Sequence, residues 1–233
     1  MSYQQNTSHA VMAQRHEDIG SLDYFPTPPW ATRALLEHVI CSADVGAQTC
    51  LEPACGQGDM AKTLDEYFGE VHASDVFDYG FGETSDFLEQ DENTRYDWVI
   101  TNPPFRLAEA FVQQALSISR VGVAMLVRTV FIESIGRYER LFRQNTPSYF
   151  AQFVERVPMV RGRLDPLAST ATGYAWIVWR SAPSSYCQTI WIPPCRKKLE
   201  KPSDYFLNDL RDEGEFSRHE SKAPILSQAE FEL

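Results

Sequence analysis

A short apolar segment that runs into a glycine-rich turn constrains the fold of this chain more than any other feature. Cys50 and Leu51 lead into the turn at 52–58, whose sequence is EPACGQG, and a helical pattern follows over residues 61–68. Glycines between a strand and a helix let the backbone approach a ligand closely at the helix N-terminus. A tight turn explains an isolated Gly-x-Gly about as well. The position of this turn after the first strand of an α/β pattern favours a ligand, because nucleotide-like molecules bind there.

Strand-like and helix-like patterns alternate along the rest of the chain. The predicted segments are a strand ending at Asp75, a strand at 98–100, a helix at 107–119, a strand at 121–127, two strands at 153–160 and 174–179, and an extended segment at 187–194. This alternation predicts an α/β fold with a doubly wound, mostly parallel sheet. The strands at 153–160 and 174–179 have no helix between them, which predicts an antiparallel hairpin at the C-terminal edge.

Two acidic residues follow predicted strands or loops in positions that suit a nucleoside. Asp75 ends the second strand about 20 residues after the glycines, where a carboxylate can accept hydrogen bonds from ribose hydroxyls. The alternative is a solvated loop aspartate. Asp86 and Phe87 follow a glycine-containing loop and could offer an acceptor for an exocyclic amine and a ring for adenine packing. Taken alone, the pair also fits an ordinary helix cap followed by a core aromatic residue.

The segment Thr101-Asn102-Pro103-Pro104-Phe105 follows the buried strand at 98–100. Each proline fixes its own φ and lacks an N–H, so the chain is stiff here and its carbonyls point in set directions. An amide side chain, a rigid turn and an aromatic ring at a strand end suit a flat, amino-bearing substrate. An ordinary strand exit with a core phenylalanine is the alternative.

Charge is distributed unevenly along the 233 residues. The net charge of −11 opposes non-specific nucleic-acid binding over the whole surface. Residues 120–163 reverse this balance and are rich in arginine. The candidates for phosphate contacts in this stretch are Arg128, Arg137, Arg140, Arg161 and Arg163. A solvated arginine face is the alternative interpretation.

Composition also predicts the compartment and the domain organisation. Five cysteines without a Cys-x-x-Cys, and histidines without ligand spacing, argue against a disulfide framework or a metal site and for a reduced, cytoplasmic protein. No stretch approaches the roughly 18 apolar residues of a membrane span. We expect a disordered segment at 1–20, one catalytic domain at 21–195 and a mobile acidic tail at 196–233.

Taken in order, these motifs resemble the S-adenosylmethionine-dependent DNA adenine-N6 methyltransferases of the gamma motif order, in particular small orphan or phage-encoded members. The resemblance covers about residues 23–180. It implies a class I methyltransferase fold, which is Rossmann-like, and S-adenosylmethionine as the cofactor. It also implies DNA as the partner, with RNA as the alternative.

The resemblance assigns roles to the residues that match the family's motifs. It places Pro26 and Thr27 over the methionine end of the cofactor, Glu52, Pro53, Ala54, Gly56 and Gly58 in the cofactor loop, Asp75 at the ribose, Asp86 and Phe87 at the adenine, and Asn102, Pro103, Pro104 and Phe105 in the catalytic motif, with Asn102 also beside the cofactor. Cytosine-N4 enzymes of this kind usually carry serine in place of Asn102, which favours adenine.

The chain departs from the family in its length after Arg180. The roughly 50 residues that follow cannot form the large target-recognition domain of many gamma-order enzymes. Recognition is then expected from residues 128–163, a partner subunit or a second protomer. RNA adenine and protein glutamine methyltransferases use similar Asn-Pro-Pro-aromatic motifs and stay open as alternatives, as does a non-catalytic module with the same fold.

Overall fold

An eight-stranded mixed sheet organises the part of the chain that the computed structural model describes, residues 24–41, 43–182 and 184–205. The strands are β1 (Thr49–Glu52), β2 (Glu70–Asp75), β3 (Glu83–Thr84), β4 (Tyr96–Thr101), β5 (Ser119–Arg128), β6 (Tyr149–Phe153), β7 (Tyr174–Arg180) and β8 (Gln188–Ile192). Their order in the sheet is β3-β2-β1-β4-β5-β7-β6-β8. The first five strands run parallel, and β7 lies antiparallel to both β5 and β6. The doubly wound, mostly parallel sheet is thus confirmed.

Helices cover both faces of the sheet. They are α1 (Pro29–Leu35), continued by a π-helical turn (Leu36–Ile40), α2 (Asp59–Leu64), α3 (Ala108–Ile118), α4 (Ile135–Arg137), continued by a π-helical turn (Tyr138–Phe142), and α5 (Arg196–Leu199). Short 3₁₀ turns lie at Ala43–Ala47, Phe87–Glu89, Thr129–Ile132 and Pro202–Asp204. None of the helices in the described residues is long and apolar enough to cross a membrane.

The apolar residues of the central strands alternate between two cores. Trp98 and Ile100 of β4 pack on the face that carries α1 and α2, whereas Val99 between them packs on the face that carries α3. Side chains of a strand point alternately to opposite faces, so a strand buried on both sides reads as a continuous apolar run. This explains why the sequence shows Trp98-Val99-Ile100 rather than an alternation of apolar and polar residues.

The predicted strand at 153–160 is wrong in its position. The strand β6 ends at Phe153, and residues 154–159 continue as an irregular segment. Pro158 cannot donate a ladder hydrogen bond, and Val157 and Met159 are buried by tertiary contacts rather than by strand pairing. The antiparallel pair of β6 and β7 is confirmed, and β8 adds one strand outside β6, parallel to it.

The predicted boundary of the tail at residue 196 also differs from the structure. Residues 196–205 pack on the domain, because Leu199 is buried and Asp204 reaches the buried guanidinium of Arg33. Arg33 Nη1 and Nη2 donate to the two carboxylate oxygens of Asp204 at 2.8 Å, and Glu66 binds the same guanidinium. The predictions for 1–20 and 206–233 lie outside the described residues.

We expect Asp204→Ala to destabilise the protein by roughly 3 kcal/mol, because it leaves the buried Arg33 charge with one carboxylate instead of two. Both side chains of the Arg33–Asp204 pair are 4% exposed. Asp165→Ala, in the exposed pair with Arg163, is the control and should cost less than about 1 kcal/mol. Urea unfolding measures both changes. Equal midpoints for the two variants would show that the tail contact contributes little.

Candidate active site

A cavity of about 410 Å³ opens where β1, β2 and β4 end. These strands are neighbours and run parallel, so the turns that follow them lie at the same edge of the sheet. The predicted site residues that line the cavity are Pro26, Thr27, Glu52, Pro53, Ala54, Asp75, Asp86, Phe87, Asn102, Pro103, Pro104 and Phe105. Residues far apart in sequence are thus brought to one place by the parallel topology.

The turn after β1 requires glycine at two positions. Gly56 and Gly58 have φ values of 51° and 86°. A Cβ at Gly56 would lie 2.3 Å from the Tyr24 ring, and one at Gly58 would lie 2.5 Å from the Phe81 ring. Any other residue at position 56 or 58 would be destabilised by the positive φ and by a steric clash of its Cβ. These glycines are therefore required by close approach as well as by the turn itself.

Asp75 links the turn after β1 to the end of β2. The backbone N–H of Gly56 donates to Asp75 Oδ2 at 2.9 Å, and the N–H of Phe77 donates to Oδ1 at 3.1 Å. Burial raises the pKa of the Asp75 carboxyl, and the backbone hydrogen bonds oppose that shift. The carboxylate is therefore held in place by the turn that it helps to fix, rather than solvated in a loop.

Glu52 is a buried acid with half of its carboxyl group unsatisfied. Thr101 donates its hydroxyl to Oε1 at 3.0 Å, whereas Oε2 has no hydrogen-bond partner in the described residues. Burial is the main cause that raises the pKa of Glu52 to about 8. A neutral carboxyl group with one unsatisfied oxygen, on a residue that lines the cavity, is a position where a polar group of a ligand can bind.

This pKa makes the stability of the protein depend on pH. Because the folded-state pKa lies above the usual 4.5, the folded protein binds the Glu52 proton more tightly than the unfolded chain does. The resulting stabilisation is complete below about pH 4.5 and is lost as the pH rises through about 8. We expect Glu52→Gln to remove this loss, which amounts to about 1.4 kcal/mol for each unit between the two pKa values.

Thermal unfolding of the ligand-free protein between pH 5 and 8 measures the effect of Glu52, with Glu89→Gln on the exposed surface as the matched control. The wild-type protein should lose stability over this range more steeply than Glu52→Gln. Parallel profiles for these two proteins would contradict the buried, neutral state of Glu52.

Asp86 and Phe87 make the contacts of a helix cap and a core aromatic residue, which is the second of the two interpretations that the sequence left open. Asp86 Oδ1 accepts the N–H of Leu88 at 2.9 Å and caps the 3₁₀ turn that follows. The Phe87 ring is buried and packs 4.9 Å from the Phe111 ring. Both residues also line the cavity. Capping and core packing therefore position these side chains at the site.

The Asn102 side chain is held through its amide nitrogen, whereas its amide oxygen is unsatisfied. Its Nδ2 donates to the backbone oxygen of Phe25 at 2.9 Å and lies 3.7 Å from the Met159 sulfur. Its Oδ1 is buried and has no hydrogen-bond partner in the described part of the chain. A buried amide oxygen without a donor is costly, and such groups mark functional sites.

Two groups flank Phe105. The Phe25 ring lies 5.3 Å away at a tilt of 41°, and the guanidinium carbon of Arg128 lies 3.7 Å from the ring centroid. Of the arginines predicted to contact phosphate, Arg128 thus lies beside the segment from Asn102 to Phe105. Arg128 is half-buried, at the end of β5.

The other predicted phosphate-contact arginines are placed differently. Arg137 and Arg140 both face Glu109, at 3.8 and 2.7 Å, and Arg137 also stacks on Phe131. These contacts hold the segment after β5 against α3. Arg161 and Arg163 are exposed in the connector before β7, where Arg163 pairs with Asp165 at 3.1 Å.

Sequence reasoning missed residues that line the cavity, such as Tyr24, and Met159, which contacts the cavity residue Asn102. Tyr24 contacts Asp59 through its hydroxyl at 3.3 Å and packs 4.8 Å from Tyr79. The aromatic pair Tyr24-Phe25 directly precedes Pro26-Thr27 and could have been included with it. Met159 reaches Asn102 from the irregular segment after β6, and no local pattern indicates this long-range contact.

Comparison with known proteins identifies the fold. The sequence matches no protein-family model and no curated protein. A proposed RNA methyltransferase from Pyrococcus horikoshii superposes with a TM-score of 0.54 at 16% identity, covering 73% of this chain and 96% of that one. A proposed hemolysin from Lactococcus lactis gives a TM-score of 0.50 at 13% identity, covering 76% and 96%. The chain is similar to these proteins in fold, and this fold is that of the class I methyltransferases, confirming the expectation from sequence.

Proposed function

We propose that this protein is an S-adenosylmethionine-dependent methyltransferase that transfers a methyl group to the exocyclic N6 amine of adenine in DNA. The observation that carries the proposal is Asn102, whose Nδ2 is anchored to the Phe25 backbone while its Oδ1 is buried without a donor. A fixed acceptor at the end of a cavity suits an amino group. The class I methyltransferase fold supports the reaction class.

The cavity residues fit S-adenosylmethionine. The orphaned Oε2 of Glu52, a residue that lines the cavity, offers a hydrogen-bonding position to a polar group of the ligand, and Gly56 and Gly58 allow the turn that follows β1. Asp75 would bind the ribose hydroxyls, Asp86 and Phe87 the adenine, and Pro26 and Thr27 the methionine end. When bound, this cofactor supplies an electrophilic methyl group attached to a sulfonium sulfur. The leaving group is the rest of the cofactor, whose sulfur becomes a neutral thioether.

The proposed catalytic motif, residues 102–105, would make the aromatic amine of the substrate more nucleophilic. The nitrogen lone pair of adenine N6 is delocalised into the ring. We infer that Asn102 Oδ1 and the carbonyl of Pro103 accept the two amino hydrogens, which favours tetrahedral geometry and directs the lone pair outward. Prolines fix the direction of these acceptors, so positioning and oriented dipoles supply most of the rate. The proton of the methylated amine leaves to water after transfer, so no buried base is required.

Phe105 is proposed to stack on a base flipped out of its helix. Phe105 lies three positions after Asn102 in the chain and borders the cavity, so a base stacked on its ring would lie beside the methyl donor. Arg128, at 3.7 Å from the same ring, supplies a cation at this position on an otherwise acidic protein. These two features favour a nucleic acid over a protein glutamine as the substrate.

RNA is the second candidate substrate. It is supported by the fold similarity to the proposed RNA methyltransferase from Pyrococcus horikoshii, whose substrate class comes to this chain only by analogy. The resemblance of the motifs and their order to those of DNA adenine enzymes favours DNA.

Labelled S-adenosylmethionine incubated with separate pools of unmethylated DNA, RNA and protein tests the proposal. Label is expected in DNA, on N6-methyldeoxyadenosine after digestion to nucleosides. Label found in RNA alone would establish the second candidate, and label found in protein alone would refute both.

A further inference from the structure

The contact between Arg128 and Phe105 places a cation where a substrate base is proposed to stack. The guanidinium carbon lies 3.7 Å from the ring centroid, yet Arg128 does not line the cavity. Arg128 therefore covers a face of the ring from outside the cavity. Under the proposed function the cavity takes the methyl donor, and the acceptor base approaches from the opposite side, because both partners of a displacement must align with the transferred carbon.

Arg128 is also poorly satisfied where it lies. Its Nε is buried and has no hydrogen-bond partner, and no carboxylate of residues 24–41, 43–182 and 184–205 forms an ion pair with it. The nearby Arg137 and Arg140, in contrast, both face Glu109. A guanidinium that lacks an anion is prepared to bind one, and its planar donors match a phosphate better than a carbonyl or water.

A second arginine approaches the same corner of the fold. The N–H of Thr129, next to Arg128 in the chain, donates to the Gly173 oxygen at 2.9 Å. A Cβ at Gly173 would lie 3.3 Å from a guanidinium nitrogen of Arg156, which is exposed. Arg156 thus lies close to the residue that follows Arg128, on a protein of net charge −11.

We propose that Arg128 occupies the stacking face of Phe105 in the free protein and exchanges places with the substrate base, its guanidinium moving to a phosphate of the bound strand. This proposal rests on the proposed function and deepens it by assigning a residue to substrate entry. Arginine–aromatic stacking at a partly exposed site contributes about 0.5–1 kcal/mol, whereas a base stacked on an aromatic side chain contributes about 1–3 kcal/mol. The exchange is therefore favourable, and the phosphate contact adds to it.

The salt dependence of binding tests the phosphate contact without any methyl transfer. The probe is a short fluorescent single-stranded oligodeoxyadenylate, measured by anisotropy over a series of salt concentrations. Arg128→Met should weaken binding about tenfold at moderate salt and reduce the slope of log K against log salt by about 0.7, the value for one phosphate on a single strand. Arg128→Lys should keep the slope. Arg143→Met, in an exposed pair with Glu139, is the matched control and should change neither quantity.

A double-mutant cycle with Phe105→Leu tests the exchange itself. If binding breaks the Arg128–Phe105 stack, Phe105→Leu should weaken binding two- to fivefold more in the Arg128→Met protein than in the wild type, by about the strength of that stack. If Arg128 instead stayed behind the ring and supported it, the penalty would be equal or smaller in the Arg128→Met protein. That outcome, or an unchanged salt slope in Arg128→Met, overturns the proposal.

Failure of this proposal and failure of the proposed function give different results. Wild-type protein that binds the oligonucleotide through Arg128 and transfers no methyl group to DNA would refute the function and support the Arg128 assignment. Protein that methylates DNA with an unchanged slope in Arg128→Met would refute the assignment alone. Absence of any binding by the wild-type protein would refute both.

Discussion

Asn102→Ala should reduce methyl transfer at least about 100-fold while the protein still binds S-adenosylmethionine with similar affinity. The substitution removes the buried Oδ1 that is proposed to accept an amino hydrogen of the substrate, an interaction expected to matter most in the transition state. It also removes the donor to the Phe25 backbone, which should cost about 1 kcal/mol of stability. Single-turnover transfer and calorimetric cofactor binding, measured on the same preparation, separate the two effects.

Asn93→Ala is the matched control for Asn102→Ala, because Asn93 lies in an exposed loop where its amide bonds only to Asp91. It should leave methyl transfer unchanged. If Asn102→Ala lost cofactor binding as fully as activity, Asn102 would be a structural or cofactor-binding residue rather than an acceptor for the substrate amine.

Gly56→Val should abolish measurable cofactor binding, or weaken it at least about tenfold. The backbone at Gly56 has a φ of 51°, which β-branched residues avoid, and a Cβ there would lie 2.3 Å from the Tyr24 ring. Either the turn changes its path or Tyr24 moves toward the cavity that it lines. The N–H of Gly56 that holds Asp75 is displaced in the first case. Calorimetric titration with S-adenosylmethionine measures the affinity.

Gly80→Val separates conformational strain from the effect on the site. Gly80 has a similar left-handed φ of 77°, but no atom lies within 4 Å of a Cβ built there. Its substitution should lower stability by about 1–2 kcal/mol and leave cofactor affinity nearly unchanged. Equal loss of affinity in both variants would show that the glycine turn at 56–58 has no special relation to the cofactor.

The sequence predicts the parts of the site that depend on one strand end and the turn after it. Gly56 follows β1, Asp75 ends β2 and Asn102 follows β4, and neighbouring parallel strands end at the same edge of a sheet. Their proximity therefore follows from the alternation of strands and helices alone. The fold of this region could be predicted without knowing a single long-range contact.

Contacts made by irregular segments could not be predicted in this way. Met159 reaches Asn102 from a stretch that reads as strand, and the strand ends at Phe153 because Pro158 and the tertiary burial of Val157 prevent further pairing. The spacing of Arg137 and Arg140 predicts a shared helix face but does not show which group faces it. The answer, Glu109, lies on another helix 28 and 31 positions earlier in the chain.

The long-range contacts of charged residues in the C-terminal segment could not be predicted from the sequence either. Residues 196–205 have few apolar side chains and read as a solvated tail, yet Asp204 is almost completely buried against Arg33. Hydropathy predicts that charged residues are exposed. Two opposite charges can nevertheless be buried together when they form an ion pair. Such pairs join distant parts of the chain and leave no periodic signal in the sequence.

Methylation-aware sequencing of DNA tests the central claim most directly. The DNA is taken from cells that lack their own adenine methylation and express either the wild-type protein or Asn102→Ala at equal levels. We expect N6-methyladenine at a recurring short sequence with the wild-type protein and none with Asn102→Ala. Absence of N6-methyladenine with the wild-type protein, methylation confined to cytosine, or equal methylation with Asn102→Ala would refute the proposed function.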